Sequence, residues 1–303
     1  MYIINGEIKM EGINNFKNRV PEKGMKWTTA ELKEIFKFPV VGYRKENGFL
    51  GIISKDRGKV HFFSKSTDEG PYVNWFIGVL CDNYEIKTIW HVDNDEHFTY
   101  NRLYNDMIEG KKEHDYKLDL SVLRNELIDK LNPLLQEGYS YVFECVDTVN
   151  DPHIIKYEDN KIVLLEVFKN QLKEEHVSWK ELHKIADKLL VPCKSQELRF
   201  NNWEEFEEWK DKFRQGVTQW DCKHEGYVFE DQNGYRVKFK SSFYNFWKQM
   251  RALKDVLAGG GTNKKIYKTK EEIQVVKLME ELGRDKLKQM SIIDVEDIFY
   301  ERG

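Results

Sequence analysis

Two strand pairs, each folded back over a short polar turn, constrain this chain most. Phe49 to Ser54 and Lys59 to Ser64 flank Asp56-Arg57-Gly58, and Glu225 to Glu230 and Tyr235 to Lys240 flank Asp231-Gln232-Asn233-Gly234. Short apolar runs around Gly, Asn and Asp read as hairpins. A third such signal, Ile3-Ile4, Asn5-Gly6 and Glu7 to Met10, opens the chain abruptly, as if a segment preceded it. Tyr139 to Val146 and Lys161 to Phe168 are further β runs. Helical patterns lie between these strands without regular βαβ alternation. The fold class expected is therefore α+β, with antiparallel sheets flanked by helices.

The helices announce themselves by spacing and caps. Thr28-Thr29-Ala30-Glu31 resembles a capping box that opens a helix through Leu32, Ile35 and Phe36. Residues 70–138 read as mostly helical, most clearly from Asp119 through Leu123, Leu127, Leu131 and Leu135 to Gly138, with Asn132-Pro133 as a kink or break. Ser178 caps a helix through Leu182, Ile185, Ala186 and Leu189, and Trp203 to Phe213 is a charged amphipathic helix. A helix after Tyr244 runs to Ala258, then Gly259-Gly260-Gly261 marks a boundary before a charged helical tail. The expected organisation is a main domain over residues 1–245 and a C-terminal helical region over 246–303.

Composition narrows the function classes. The 303 residues carry 48 basic against 52 acidic side chains, a net charge of -4, which excludes a globally basic nucleic-acid coat but leaves room for a local basic groove. An apolar fraction of 40% supports a substantial core. Cys81, Cys145, Cys193 and Cys222 are far apart and form no C-x-x-C pair, which argues against a zinc site or a disulfide scaffold. No basic-then-apolar leader and no membrane-length apolar run is present, so a soluble, cytoplasmic protein is expected. Aromatic residues, at 14%, are expected mostly in the core.

Five stretches could carry chemistry. Lys45-Glu46-Asn47-Gly48 places a lysine in a short polar turn; Ser64-Lys65-Ser66 places another at the end of a strand. Tyr141-Val142-Phe143-Glu144 sets a carboxylate among apolar residues, where burial demands a partner or a cation. Glu225-Gly226-Tyr227-Val228 opens a strand with a carboxylate, and Lys238-Phe239-Lys240 puts two lysines on one strand face. Taken singly, a turn lysine is usually solvated, and strand lysines commonly blunt sheet edges. Their order along the chain is the stronger signal.

In that order and strand context the set resembles the covalent nucleotidyltransferase superfamily of ligases and capping enzymes. The nucleophile motif of that superfamily, K-x-[DHN]-G, is matched by Lys45 to Gly48; the other four stretches match its later motifs in turn. The branch most similar is that of phage RNA ligase 1 and the fungal tRNA ligases. Asn47 and Leu50 fit it, as do Lys240-Ser241-Ser242-Phe243-Tyr244 and the run from Tyr244 to Arg251. The similarity spans roughly Lys45 to Arg251. Relatives carry an upstream segment with an arginine-glycine element and a lysine; only Lys17 offers itself for that role here.

The resemblance implies a nucleotidyltransferase fold and an ATP-dependent RNA ligase. Lys45 would be the nucleophile that becomes lysyl-AMP, with Lys238 and Lys240 assisting. Glu46, Asn47, Gly48, Lys65, Glu144, Glu225, Lys238 and Lys240 would bind the cofactor, and Glu225 would hold Mg2+ or Mn2+. A lysine must be neutral to attack a phosphate, and neighbouring cations and partial burial favour the neutral form. AMP would pass to an RNA 5′-phosphate, which a 3′-hydroxyl then seals. The setting implied is RNA or tRNA repair by a monomer, after end-healing by a kinase and phosphatase. Two alternatives stay open: a degenerate domain that binds nucleotide or RNA without sealing, and a ligase that prefers GTP or DNA.

Overall fold

The computed structural model describes residues 2–4, 7–10, 29–86, 88–89, 97–111, 115–151, 153–171, 175–214, 224–262 and 269–302. Asn5-Gly6, Lys17, Thr28 and Cys222 lie outside them. The order begins β1 (Tyr2–Ile4), β2 (Glu7–Met10), α1 (Thr29–Ile35), β3 (Val40–Lys45), β4 (Phe49–Asp56), β5 (Lys59–Phe63) and α2 (Pro71–Asn83). It continues with β6 (Thr88–Ile89), β7 (His97–Phe98), α3 (Tyr100–Ile108), α4 (Tyr116–Leu131), β8 (Tyr139–Val146), β9 (Lys161–Lys169) and α5 (Trp179–Lys188). It closes with β10 (Gln196–Phe200), α6 (Trp203–Arg214), β11 (Gly226–Asp231), β12 (Arg236–Lys240), α7 (Ser242–Ala258), α8 (Lys270–Gln289) and α9 (Ile292–Arg302). The α+β class holds: two four-stranded antiparallel sheets are flanked by helices.

Each sheet belongs to its own unit. One unit comprises Met1–Lys17, Gly48–Asp151 and Asp159–Lys194; the other comprises Asn18–Asn47, Pro152–Glu158 and Ser195–Gly303.

In the first unit the strand order is β5-β4-β8-β9. Alternation along β4 and β8 sends Ile53, Tyr141, Phe143 and Cys145 to one face. There they join a large apolar cluster with Val73, Phe76 and Leu80 of α2 and Leu123, Leu127 and Leu131 of α4. The opposite face carries a small cluster of Ile52, Phe63, Val142 and Phe168. Beside it, the buried hydroxyls of Ser54 and Ser140 are both hydrogen-bonded to the Asn170 amide. The leucine row on α4 is buried through Leu135, but the helix stops at Leu131. Pro133 has no N–H with which to continue the ladder. The expected helical span of 70–138 is also broken by the small β6–β7 pair.

In the second unit the order is β10-β3-β11-β12. Val40, Gly42, Phe229, Val237 and Phe239 share one face, against which Leu32 of α1, Phe36 just past it, and Trp203, Phe206 and Trp209 of α6 pack. Trp209 sits 4.8 Å from Phe229 and 4.7 Å from Phe213, ring centroid to centroid. Much of the aromatic content is therefore core. Strands β3 and β10 are additions to the sequence reading. Lys45 is the last residue of β3 rather than part of a turn; the turn occupies the residues after it. Val40 and Val41 alone made too short an apolar run, because Gly42, Tyr43 and Arg44 interrupt the alternation.

The C-terminal helices form a separate cluster in this unit. Phe243, Trp247 and Met250 of α7 pack with Val275 and Met279 of α8, Ile292 and Val295 of α9, and Ile154 and Ile155 from the β8–β9 connection. Ser241 caps α7 by accepting from the Tyr244 N–H, and Thr269 with Glu272 forms a capping box on α8. Gly259 closes α7, and the residues on both sides of the Gly triplet belong to the same unit.

Candidate active site

Register in the second sheet gathers the lysines. Gly226 on the central strand β11 lies opposite Lys45 of β3 on one side and Lys240 of β12 on the other. Two residues along, Val228 lies opposite Tyr43 and Lys238. Residues directly across a sheet share a face, so Lys45, Lys238 and Lys240 all stand on the face opposite the aromatic core. Gly226 has φ +141°, and a Cβ there would meet the Phe239 carbonyl oxygen at 2.0 Å. Only glycine lets the three strands close at this row.

Glu225 precedes that glycine and is buried. Its Oε2 accepts from Lys45 Nζ at 3.0 Å and its Oε1 lies 2.7 Å from Lys240 Nζ. The two ammonium groups reach solvent, with side-chain exposures of 20% and 25%. A carboxylate buried to this degree needs such partners, because its bare desolvation costs several kcal/mol. Ser241 fixes the Glu225 backbone: its N–H donates to the Glu225 carbonyl at 2.9 Å, and its hydroxyl donates to the His224 carbonyl at 3.1 Å.

The cations outnumber the carboxylate. Partial burial, then the Lys240 and Lys45 charges, hold the Lys238 ammonium below the usual lysine range, against the pull of Glu225. Lys248, one helical turn past Tyr244 on α7, is lowered chiefly by Lys240. Lys240 Nζ lies 4.3 Å, and Lys248 Nζ 5.8 Å, from the centroid of the Tyr244 ring. Such a concentration of positive charge around one acid suits a polyanion.

The turn after Lys45 is held by its own contacts. Asn47 Oδ1 accepts from the Ile154 and Ile155 N–H groups at 2.9 and 3.3 Å, and Asn47 Nδ2 reaches Glu225 Oε2 at 3.5 Å. Tyr157 Oη accepts from the Asn47 N–H at 2.7 Å and donates to Glu46 Oε2 at 3.2 Å. Glu46 is buried.

Three expected site residues belong to the first unit. Glu144 on β8 accepts the Gly48 N–H through Oε1 at 3.0 Å. A Cβ on Gly48 would meet the Cys145 carbonyl at 2.1 Å, so this close approach to β8 requires glycine. Glu144 is thus partnered, as a carboxylate among apolar neighbours must be. Lys65 lies two residues past β5 and is exposed.

The structure therefore brings Lys45, Glu46, Asn47, Glu225, Lys238 and Lys240 together in one unit, and Gly48 with Glu144 in the other. Sequence reasoning did not single out Lys248 or Tyr157. The i,i+4 relation of Tyr244 and Lys248 was a readable signal for the first. Nothing in the sequence marks Tyr157, which lies in an irregular connection.

Among the described residues, no group of three or more His, Cys, Asp or Glu could hold a metal ion by itself, and no helix is long and apolar enough to cross a membrane.

A family model described as RNA ligase matches residues 4–244. No curated protein matches the sequence. Among solved structures, an archaeal ATP-dependent RNA ligase is 12% identical, with 77% of this chain and 52% of that chain covered and a TM-score of 0.44. The Naegleria gruberi RNA ligase with PPi is also 12% identical, covering 71% and 53%, with a TM-score of 0.43. A candidate ATP-dependent DNA ligase from Aquifex aeolicus is 14% identical, covering 90% and 62%, with a TM-score of 0.42. The chain thus spans between about half and three-fifths of the length of these structures.

Proposed function

The chain belongs to the RNA ligase family, and on that premise we propose that it is an ATP-dependent RNA ligase working through a covalent Lys45–AMP. One observation carries this reading. Lys45 and Lys240 meet the two oxygens of buried Glu225, on neighbouring strands whose register is fixed by Gly226. A lysine held at a defined point among cations, with a carboxylate at hand, is what attack on a triphosphate requires.

In the first step Lys45 Nζ, having lost a proton to solvent, attacks the α-phosphorus of ATP. The N–P bond forms as the P–O bond to pyrophosphate breaks. Lys238 and Lys240 offset charge on the phosphates as pyrophosphate leaves. In the second step an oxygen of the RNA 5′-phosphate attacks the same phosphorus and frees Lys45. In the third, a 3′-hydroxyl attacks the activated 5′-phosphate, forms the phosphodiester and expels AMP. Glu46, Asn47, Gly48, Lys65 and Glu144 are proposed cofactor contacts, with Glu144 facing the ribose hydroxyls or the base edge.

Magnesium, or manganese in its place, fits the donor set. Mg2+ binds through one or two carboxylates plus substrate phosphates rather than a cage of protein ligands. Glu225 would hold it, and when bound the ion supplies neutralisation of phosphate charge. The RNA or tRNA repair setting, with ends prepared by a kinase and a phosphatase, is part of the same proposal.

The test is to incubate the protein with α-labelled ATP and Mg2+, then add 5′-phosphorylated RNA or DNA. Label that survives alkaline denaturation, is released by acid and is absent from Lys45→Ala is expected, followed by transfer to RNA and sealing. No label on the wild type, or equal label on Lys45→Ala, contradicts the reading. Label without sealing would mark an adenylate binder; labelling from GTP, or sealing of DNA, would reassign the cofactor or substrate.

A further inference from the structure

The connection between β8 and β9 leaves the first unit at residue 152 and returns at residue 159. In between, residues 153–158 touch both the turn after Lys45 and the C-terminal helices, all within the second unit. Ile154 and Ile155 are buried in the α7–α9 cluster, and Tyr157 packs on it. Lys156 adds an exposed ion pair to Asp297 of α9 at 2.8 Å. On its other side the same segment grips Glu46 and Asn47: two backbone N–H groups donate to Asn47 Oδ1, and the Tyr157 hydroxyl bridges the Asn47 N–H and the Glu46 carboxylate.

We infer that Tyr157 is a positioning residue for Lys45, and that α7–α9 set the presentation of the nucleophile through the segment carrying it. The inference rests on the function proposed above. The Tyr157 hydroxyl uses both its donor and its acceptor capacity on the two residues that follow Lys45. It therefore fixes the backbone from which the Nζ must reach the α-phosphorus. Its aromatic ring is anchored elsewhere, against the helical cluster and edge-on to His153 at 5.7 Å. Removing the hydroxyl alone should loosen the Glu46–Asn47 backbone while leaving the ring packing and the Asn47 side-chain bonds in place.

The experiment is single-turnover labelling with α-labelled ATP over a range of ATP concentrations. It reads an amplitude, the fraction of competent enzyme, and a rate constant. Tyr157→Phe is expected to keep the wild-type amplitude and half-saturating ATP concentration, with the rate constant lower by about 10- to 100-fold, the range for a misplaced reacting group. Ile155→Ala, which loosens the segment on the helices, is expected to slow the rate constant in the same sense. Lys156→Ala is expected to match the wild type, since its ion pair is exposed.

An unchanged Tyr157→Phe rate constant would overturn the inference, as would a lower amplitude at the wild-type rate constant, which marks a merely structural residue. A Lys156→Ala loss equal to that of Tyr157→Phe would also overturn it. An Ile155→Ala rate constant equal to wild type would remove the helices from it. A wild type that takes no label would overturn the proposed function itself; a labelled wild type alongside an unslowed Tyr157→Phe would overturn this inference alone.

Discussion

The two four-stranded sheets are built alike and finished differently. Each buries one face under helices and leaves the other carrying polar groups. On the second sheet that face presents Lys45, Lys238 and Lys240 near the buried Glu225 carboxylate. On the first it presents Glu144, Glu166 and the Ser54, Ser140 and Asn170 side chains; there the Glu166 carboxylate is paired with Lys194 at 3.1 Å. One surface gathers lysines around Glu225. The other keeps its buried polar groups bonded to partners beside a small apolar cluster. The same architecture thus carries two faces of different charge.

Mutations can break that contrast. Lys45→Arg keeps a positive partner for Glu225 but cannot form the lysyl bond, so adenylylation should fall by a factor on the order of 10³ or more. An unaltered circular dichroism spectrum would show that the loss is chemical. Glu225→Gln and Lys240→Ala remove charge from the same cluster, and each should slow single-turnover adenylylation by about 10²- to 10³-fold. On the first sheet, Glu144→Gln should raise the ATP concentration for half-maximal labelling by about tenfold with a smaller change in rate constant. A Glu144→Gln rate constant as slow as that of Glu225→Gln would contradict the cofactor-contact role proposed for Glu144.

The smallest expected effect is on stability. His224, beside Glu225, packs against Tyr227 and faces Arg44, Glu197 and Glu46. Burial and then the Arg44 charge hold its pKa below the usual 6.5. The unfolded chain takes up this proton near pH 6.5 and the fold resists it, so stability is lost as pH falls below that value. The drop in Tm between about pH 7 and about pH 5 should therefore be greater in the wild type than in His224→Gln.

Much of this was legible from residue order. The β11–β12 hairpin and the Ser178 cap followed from local turn and cap chemistry, which needs no tertiary context. The lysines and carboxylates of the five motifs were readable as a set, and Glu144 stood out because an acid among apolar residues needs a partner. The pairing of that partner was not legible: it is the Gly48 N–H, a backbone group 96 residues away. Strand β3 was hidden because Gly42, Tyr43, Arg44 and Lys45 follow Val40 and Val41 and break the apolar run. Tyr157 was hidden for a different reason. Its position is set by a cluster assembled from α7, α8 and α9, and no local pattern encodes a contact of that range.

In the proposed reaction Lys45, and not one of the lysines around it, carries the adenylate. The most direct measurement is peptide mapping by mass spectrometry after incubation with ATP and Mg2+ in the absence of RNA. A single adenylylated peptide is expected, with the modification on Lys45. Adenylate on Lys238, Lys240 or Lys248, or none on any lysine, would contradict it.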